Sequence, residues 1–148
     1  MFNNISSRYD FLNHLLSLGI DKGWRRNAIR LLQHEEVRDV LDIATGTGDF
    51  AIAALKLHPT KVTGLDISAG MLEKGREKMK KLKVDHLINM LEGDSEHIPF
   101  DDHSFDAITV GFGVRNFENL EKGLAEMLRV LRPGKMAVIL EFSKPKKF

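Results

Sequence analysis

Short apolar segments rich in β-branched residues recur along the chain and predict five β-strands. Their centres are almost continuously apolar, whereas strands with one solvated face alternate apolar and polar residues. Continuous apolar strands are typical of a parallel sheet that is buried on both faces, so we expect helices on both sides. The predicted strands occupy residues 37–44, 60–67, 86–93, 105–112 and 135–142.

Segments with the 3.6-residue spacing of amphipathic helices follow the first, second and fourth strands. Two more helices, separated at Gly19, are expected ahead of the sheet, and residues 93–105 are expected to form a connection without a long helix. Pro133 and Gly134 should end the last helix before the fifth strand. This order predicts a doubly wound α/β fold with a mainly parallel sheet. The apolar residues that mark the helices after the strands are Phe50, Ala54, Leu57, Met71, Leu72, Met79, Leu120, Leu124, Met127, Leu128 and Leu131.

Composition adds limits to this picture. A chain of 148 residues that is 43% hydrophobic suits one domain, with a helical cap over residues 1–35 and a sheet core over 36–148. The formal charge of +1 favours a small-molecule partner and no nucleic acid. The absence of cysteine fits a reducing compartment, and no apolar run approaches the roughly 20 residues that span a bilayer, so a cytoplasmic protein is expected.

Candidate chemistry collects at the ends of the predicted strands. The first strand runs into LDIATGTGD (41–49), in which acids precede and follow a glycine loop, and the second strand ends at Asp66. Ligands of open parallel sheets bind beyond the carboxyl ends of the strands. A loop that binds phosphate would be weakened by the nearby charges of Asp42 and Asp49. The pattern therefore favours an adenosine ligand that carries positive charge instead of phosphate.

S-adenosylmethionine has this chemistry. Its ribose diol can hydrogen-bond to Asp66, and its ammonium and sulfonium charges favour a nearby acid such as Asp42. Gly46 and Gly48 would let the backbone approach the methionine portion closely. Asp94, at the end of the third strand, could accept a hydrogen bond from the adenine amino group, with Ser95 alongside.

A dinucleotide site remains an alternative. Gly46, Gly48 and Ala51 fit the pattern GxGxxA, and Asp66 lies near the spacing expected of an acid that binds a ribose hydroxyl. A nicotinamide-dependent oxidoreductase, or a relic of such a fold that binds nucleosides without catalysis, would carry the same signal. The acids that flank the loop are the feature that argues against both.

The sequence also resembles a known family. LDIATGTGD, GLDIS (64–68), GDSEHIPF (93–100) and LRVLRPGK (128–135) are similar to the successive motifs of class I S-adenosylmethionine methyltransferases, which have a Rossmann-like fold. The N-terminal MFNNISSRYDFLNHLLSLGIDKGWRR, the segment GFGVRNF (111–117) and the terminal LEFSKP (140–145) resemble the ubiquinone and menaquinone biosynthesis C-methyltransferase family. The resemblance extends over essentially the whole chain.

This resemblance implies C-methylation of a polyprenylated quinol precursor, such as demethylmenaquinol or the ubiquinol precursor. It implies cofactor contacts from Thr47, Asp66 and the Asp94 and Ser95 pair, and it places Gly111 at the start of the segment nearest the methyl donor and acceptor. The alternative that the chain is a methyltransferase of the same fold acting on another small molecule stays open. The full set of predicted cofactor-binding residues is Asp42, Gly46, Thr47, Gly48, Asp66, Ile67, Asp94, Ser95 and Gly111.

Methylation at a ring carbon requires ionisation of the adjacent hydroxyl, which a nearby cation would stabilise. Arg115 is the candidate for that cation and Asn116 for a hydrogen-bonding orienter. Tyr9, Asp10 or His14 would close the site and accept a proton, directly or through water. The remaining histidines have no paired helical spacing, so no metal site is predicted.

Three further expectations concern the surroundings of the site. The mixed-sign run EKGREKMKKLK (73–83) should be a solvated helix face. Because a polyprenyl substrate is drawn from a membrane, contact of the N-terminal segment with its inner face stays open, as does a homodimer. Members of the family continue past the LEFSKP motif and usually begin before the first motif. The chain is therefore expected to be truncated, which leaves open whether it catalyses methyl transfer.

Overall fold

A computed structural model describes residues 20–111 and 117–141, with side chains from residue 22 onwards. Within these residues five parallel strands form one sheet, in the order β3-β2-β1-β4-β5. No helix of the described ranges has both the length and the apolar content needed to cross a bilayer. The elements are α1 (Ile20–Leu32), β1 (Asp39–Ile43), α2 (Asp49–Ala54), a 3₁₀ turn (Leu55–Leu57), β2 (Lys61–Asp66), α3 (Ala69–Leu82), β3 (Ile88–Glu92), β4 (Phe105–Gly111), α4 (Leu120–Val130) and β5 (Leu131–Leu140).

The doubly wound arrangement predicted from the sequence is confirmed. The chain moves outward from β1 to β3 and then returns to the other side of β1 for β4 and β5. The reversal lies between β1 and β4, which is the place where ligands bind in folds of this kind. The expected connection between β3 and β4 contains turns and no helix.

The central strands are buried on both faces, as their apolar sequences predict. Helices α1, α2 and α3 cover one face through a core that includes Leu32, Phe50 and Met79. Helix α4 and the connection after β3 cover the other face, where Met127 and Ile98 pack on Ile108. Since successive strand residues point to opposite faces, Val40 and Asp42 both point toward the face that α2 covers.

The last strand begins earlier than the sequence predicts. Helix α4 ends at Val130, and Leu131 is already extended and opposite Phe105, so the predicted start at residue 135 and the assignment of Leu131 to the helix were wrong. Pro133 and Gly134 lie within the strand at a bulge, where the partner of Ala107 is Met136. Gly134 has a φ of 79°, and a bulge tolerates the missing N–H of proline.

Candidate functional site

The carboxyl edge of the sheet carries a sharply bent loop between β1 and α2. Ala44, Gly46 and Gly48 have φ values of 54°, 58° and 92°. Gly48 also begins α2, and its N–H donates to the carbonyl of Thr45 at 2.8 Å. A side chain at Gly48 would collide with the methyl group of Met79 on α3. Backbone conformation therefore favours glycine at both positions of the sequence motif, and a side chain at Gly48 would also displace the end of Met79.

Asp42 lies beneath this loop, fully enclosed, with a relative exposure of 1%. The hydroxyl of Thr45 donates to Asp42 Oδ2 at 2.6 Å, and that of Thr109 donates to Oδ1 at 2.8 Å. Burial, together with the nearby charges of Asp66 and Asp49, raises the pKa of Asp42 to about 7, against the two hydroxyl hydrogen bonds, which lower it. Asp42 therefore has no surface for direct contact with a ligand in this geometry and would act on one through its field.

Asp66, at the end of β2, joins the loop to the neighbouring strand. Its Oδ2 accepts the N–H of Gly46 at 2.8 Å, and its Oδ1 accepts the N–H of Ser68 at 2.8 Å. Burial raises its pKa, while the N–H donors of Ser68, Gly46 and Ile67 act in the opposite direction. The side chain is only partly buried, and a carboxylate has about four acceptor positions, so one remains beyond these three donors for a ligand.

Lys78 makes a contact with the loop that the sequence did not predict. Its Nζ donates to Thr47 Oγ1 at 2.9 Å and to Asp49 Oδ1 at 2.6 Å, and its side chain is 31% exposed. The assignment of residues 73–83 to a solvated face was therefore wrong for Lys78, and for Gly75 and Met79, which are buried. The charge of Asp49, counted in the sequence as a repulsion toward phosphate, is balanced by an ammonium.

The predicted adenine contacts lie in the connection after β3. Asp94 is exposed, and its Oδ1 accepts the N–H of Glu96 at 2.9 Å in a local turn, while Ser95 is partly buried. Helix α4 holds this connection through Arg129, whose guanidinium donates to both carboxylate oxygens of Glu126 at 2.8 and 2.9 Å. Arg129 also donates to the carbonyls of Ile98 and Phe100 and to Asp102, so all its N–H groups are used.

Two further residues that the sequence predicted for the cofactor site also lie at strand ends on this edge. Ile67 directly follows β2 and is 50% exposed, so it offers an apolar surface beside Asp66. Gly111 ends β4, where an added Cβ would be 2.9 Å from Cδ2 of Phe50. Packing against α2 is therefore sufficient reason for glycine at position 111. The predicted catalytic residues Arg115, Asn116, Tyr9 and His14 lie outside the described residues.

The amino edge of the sheet carries a separate cluster of charges. Asp106 Oδ2 accepts the N–H groups of Arg38 and Asp39 at 2.8 and 3.0 Å, and Asp106 Oδ1 accepts from Arg132 at 2.8 Å. Partial burial alone would raise the pKa of Asp106, but these donors together hold it below its ordinary value. Arg132 also approaches Asp39 at 3.3 Å. An open groove here is lined by Glu36, Arg38, Asp39, Asp106, Arg132 and Lys135.

Sequence reasoning missed three residues that shape the ligand-binding edge: Thr45, Thr109 and Lys78. Thr109 carried a usable signal, since a polar residue in the apolar strand FDAITVG invites a buried partner, and Asp42 is the matching polar residue in β1. Thr45 lies three residues after Asp42 and offered a weaker signal. Lys78 offered none, because Lys74, Lys80 and Lys81 surround it and only the rotation of the helix distinguishes them.

Comparisons with known proteins agree with this architecture. A protein from Methanococcus maripaludis superposes with a TM-score of 0.78 over 93% of this chain and 62% of its own, and its 22% identity shows the fold alone. A SAM-dependent methyltransferase from Aquifex aeolicus is 25% identical, with a TM-score of 0.71 over 81% of this chain and 66% of its own. The Rossmann-like fold of class I methyltransferases is thereby confirmed.

Sequence relatives are closer. The demethylmenaquinone methyltransferase of Bacteroides fragilis is 52% identical over all of this chain and 61% of its own length. The ubiquinone/menaquinone biosynthesis C-methyltransferase UbiE of Geobacter sulfurreducens is 49% identical over 99% of this chain and 58% of its own. The chain thus spans about three fifths of these relatives, and the model of the ubiE/COQ5 methyltransferase family matches residues 1–148. The chain belongs to the ubiE/COQ5 methyltransferase family.

Proposed function

We propose that this chain is the cofactor-binding core of an S-adenosylmethionine-dependent C-methyltransferase of quinone biosynthesis. Its acceptor would be a polyprenylated quinol precursor, demethylmenaquinol or the corresponding ubiquinol precursor. The functions for which the relatives from Bacteroides fragilis and Geobacter sulfurreducens are named support this assignment. The observation that carries it is the carboxyl edge, where Asp42 and Asp66 accept only from hydroxyl and backbone N–H donors among the described residues.

The residues of this edge fit the proposed cofactor. Asp66 is partly exposed and retains an acceptor position for the ribose diol, while the bent backbone at Gly46, Thr47 and Gly48 leaves room for the methionine portion. Asp42 contributes negative potential from below the loop without contact. Ile67 would support the adenine, and Asp94 and Ser95 would receive its amino edge. Gly111 would border the reacting methyl group.

When bound, the cofactor supplies an activated methyl group, so the protein mainly has to align the acceptor and exclude water. Arg115 would stabilise the ionised ring hydroxyl of the acceptor, and Asn116 would orient it by a hydrogen bond. Tyr9 or His14 would cover the site and take the ring proton. In the same proposal the enzyme is a cytoplasmic homodimer that touches the inner face of the membrane, where its substrate resides.

Calorimetric titration with S-adenosylmethionine and with NAD separates the two ligand classes. We expect a dissociation constant in the range of about 1 to 100 μM for S-adenosylmethionine and no saturation by NAD. NAD is a necessary comparison because the ammonium of Lys78 removes part of the repulsion that Asp49 would exert on a pyrophosphate. Saturable NAD binding without a response to S-adenosylmethionine would refute the proposal.

Transfer of labelled methyl from S-adenosylmethionine tests the acceptor. A short-chain demethylmenaquinol and a ubiquinol precursor are compared, with the Bacteroides fragilis enzyme as positive control. We expect transfer to demethylmenaquinol in an extended chain of the same length as that relative, and a change of Arg115 to Met should abolish it while leaving cofactor binding unchanged. If the extended chain methylates neither quinol, the proposed quinol acceptor is excluded and only the assignment of the cofactor remains.

A further inference from the structure

The connection between β3 and β4 carries the predicted adenine contacts in a short turn. At the start of the connection, the N–H of Gly93 donates to the carbonyl of Asp66 at 2.9 Å. In the turn that follows, Asp94 accepts the N–H of Glu96 through its side chain and the N–H of His97 through its carbonyl. The chain reaches α4 directly after this turn. The position of the Asp94 carboxylate therefore depends on what holds the two ends of the turn.

Two side chains of α4 hold the far end of the turn at Ile98. Glu126 Oε2 accepts the N–H of Ile98 at 2.8 Å, and Arg129 donates to the Ile98 carbonyl at 2.9 Å. These two hydrogen bonds are defined here as the Ile98 clamp. The side chain of Ile98 is also buried in the core, but packing alone leaves the backbone free to rotate, whereas two hydrogen bonds from one helix fix its orientation. The Ile98 clamp therefore sets the direction in which the Asp94 turn leaves the sheet.

The two side chains of the Ile98 clamp also fix each other. Arg129 directs two N–H groups at Glu126 and the other three at the connection. Hydrogen bonding to Arg129 holds the pKa of Glu126 below its ordinary value, so the pair stays charged. Arg132, three residues later, instead links Asp39 and Asp106 at the amino edge. Two neighbouring guanidinium groups thus serve opposite edges of the sheet, which provides a matched comparison.

We propose that Glu126 and Arg129 are positioning residues for recognition of the adenine base. Through the Ile98 clamp they hold the Asp94 carboxylate where it accepts the adenine amino group, without contacting the ligand themselves. This role rests on the proposed function, in which Asp94 and Ser95 receive the amino edge of the adenine. Because a hydrogen bond weakens steeply when it is misaligned, loosening the clamp should reduce recognition of the amino group more than affinity for the rest of the cofactor.

Two purine ligands measure recognition of the amino group separately from overall affinity. S-inosylhomocysteine differs from S-adenosylhomocysteine in carrying a carbonyl oxygen in place of the amino group, and a carboxylate cannot accept a hydrogen bond from that oxygen. Calorimetry with the 148-residue chain should show a preference of about 30-fold for the adenosyl ligand. In R129Q this preference should fall to about threefold, with most of the change in the affinity for the adenosyl ligand. E126Q keeps the size of the side chain but weakens its hold on Arg129, so it should lower the preference in the same direction and by less.

Two controls separate the positioning role from a general effect of losing a guanidinium. R132Q removes a guanidinium of similar exposure from the amino edge, so it should lower stability in urea and leave the preference within about twofold of the parent. The 2′-deoxy form of S-adenosylhomocysteine tests the ribose contact proposed for Asp66. The loss of affinity caused by removing that hydroxyl should be the same in R129Q as in the parent.

Circular dichroism establishes that each variant folds, and E126Q decides the result if R129Q does not fold. A lowered preference in either clamp variant, with R132Q unchanged, supports the positioning role. Equal losses of affinity for both purine ligands, or the same loss of preference in R132Q, would overturn it. A parent chain that binds neither S-adenosylhomocysteine nor S-adenosylmethionine rejects the proposed function itself. A parent that binds them, with its preference unchanged in folded R129Q, rejects the positioning role alone.

Discussion

The two edges of the sheet treat their carboxylates in opposite ways. At the carboxyl edge, Asp42 and Asp66 accept hydrogen bonds from threonine hydroxyls and backbone N–H groups, which carry no net charge. At the amino edge, Asp39 and Asp106 share the guanidinium of Arg132. Both edges satisfy the hydrogen-bonding needs of these four acids, but Asp42 and Asp66 have no cationic partner among the described residues, whereas Asp39 and Asp106 share one.

This difference separates a binding edge from a structural one. Burial raises the pKa of Asp42 to about 7 and also raises that of Asp66, whereas the pKa of Asp106 is lowered by its N–H and guanidinium donors. At the carboxyl edge, Asp42 and Asp66 therefore have no cationic partner among the described residues, and a cationic ligand would favour the ionised form of each acid. At the amino edge, Arg132 on β5 links Asp39 on β1 to Asp106 on β4. Changes at the first edge should alter binding, and changes at the second should alter stability.

The largest expected effect is on stability, at the amino edge. Replacing Asp106 by Ala would leave the N–H groups of Arg38 and Asp39 and the guanidinium of Arg132 without their shared acceptor. We expect the free energy of unfolding to fall by about 3 kcal/mol, measured by urea denaturation. The exposed Asp85 provides the control D85A, with an expected change below about 0.5 kcal/mol. A loss of cofactor affinity beyond about threefold in folded D106A would contradict the separation of the two edges.

Replacement of Asp66 by Ala should act mainly on binding. It removes the acceptor proposed for the ribose diol and releases the N–H of Gly46, so affinity for S-adenosylmethionine should fall about 100-fold by calorimetry. Stability should fall by about 1 to 2 kcal/mol, because two partly buried N–H groups lose their acceptor. Glu92, the exposed register partner of Asp66 on β3, gives the control E92Q. Equal losses of affinity in both variants would show that charge at this edge matters and the position of Asp66 does not.

The raised pKa of Asp42 makes stability depend on pH. The native carboxyl holds a proton between about pH 4 and pH 7 that the unfolded chain has released, so the contribution of Asp42 is fully present below that window and is lost as pH rises through it. Between pH 6 and pH 8 this loss should be about 1 kcal/mol, and D42N should remove it. Urea denaturation of both proteins at each pH measures the difference. Parallel pH profiles for the two proteins would refute the assignment.

The same carboxyl should link cofactor binding to protons. A sulfonium near Asp42 favours the ionised form, so affinity for S-adenosylmethionine should rise about threefold to tenfold from pH 6 to pH 8. S-adenosylhomocysteine lacks the sulfonium charge and should show a smaller rise. An equal rise for both ligands would place the interaction at the ammonium group.

The smallest effect concerns Lys78, which joins the ligand-binding edge to α3. Changing it to Met removes the donor to Thr47 and leaves Asp49 unpaired, so the glycine loop should be less rigid and cofactor affinity should fall about threefold to fivefold. The exposed Lys81 gives the control K81M. If K78M instead strengthened NAD binding, electrostatic exclusion of phosphate would not be the function of Asp49.

Much of the fold follows from local features of the sequence. The five strands and the helices between them are visible as apolar periodicity, and alternation of strand and helix requires parallel strands whose carboxyl ends share one edge. That rule alone was enough to bring the glycine loop and Asp66 together. The early start of β5 was not visible, because Leu131 has a helical spacing and is drawn into the sheet by its pairing with Phe105.

The sequence by itself determined that the glycine loop and Asp66 reach the ligand-binding edge, while the tertiary structure decided which residues pair with the acids there. Thr109 meets Asp42 across 67 positions of the chain, and Lys78 meets Asp49 across 29. Such pairs depend on strand register and on the rotation of each helix about its axis. Both are selected by details of side-chain packing, and neither produces a periodic pattern in the sequence. Whether an acid is neutralised or keeps its charge for a ligand is therefore a property of the folded chain.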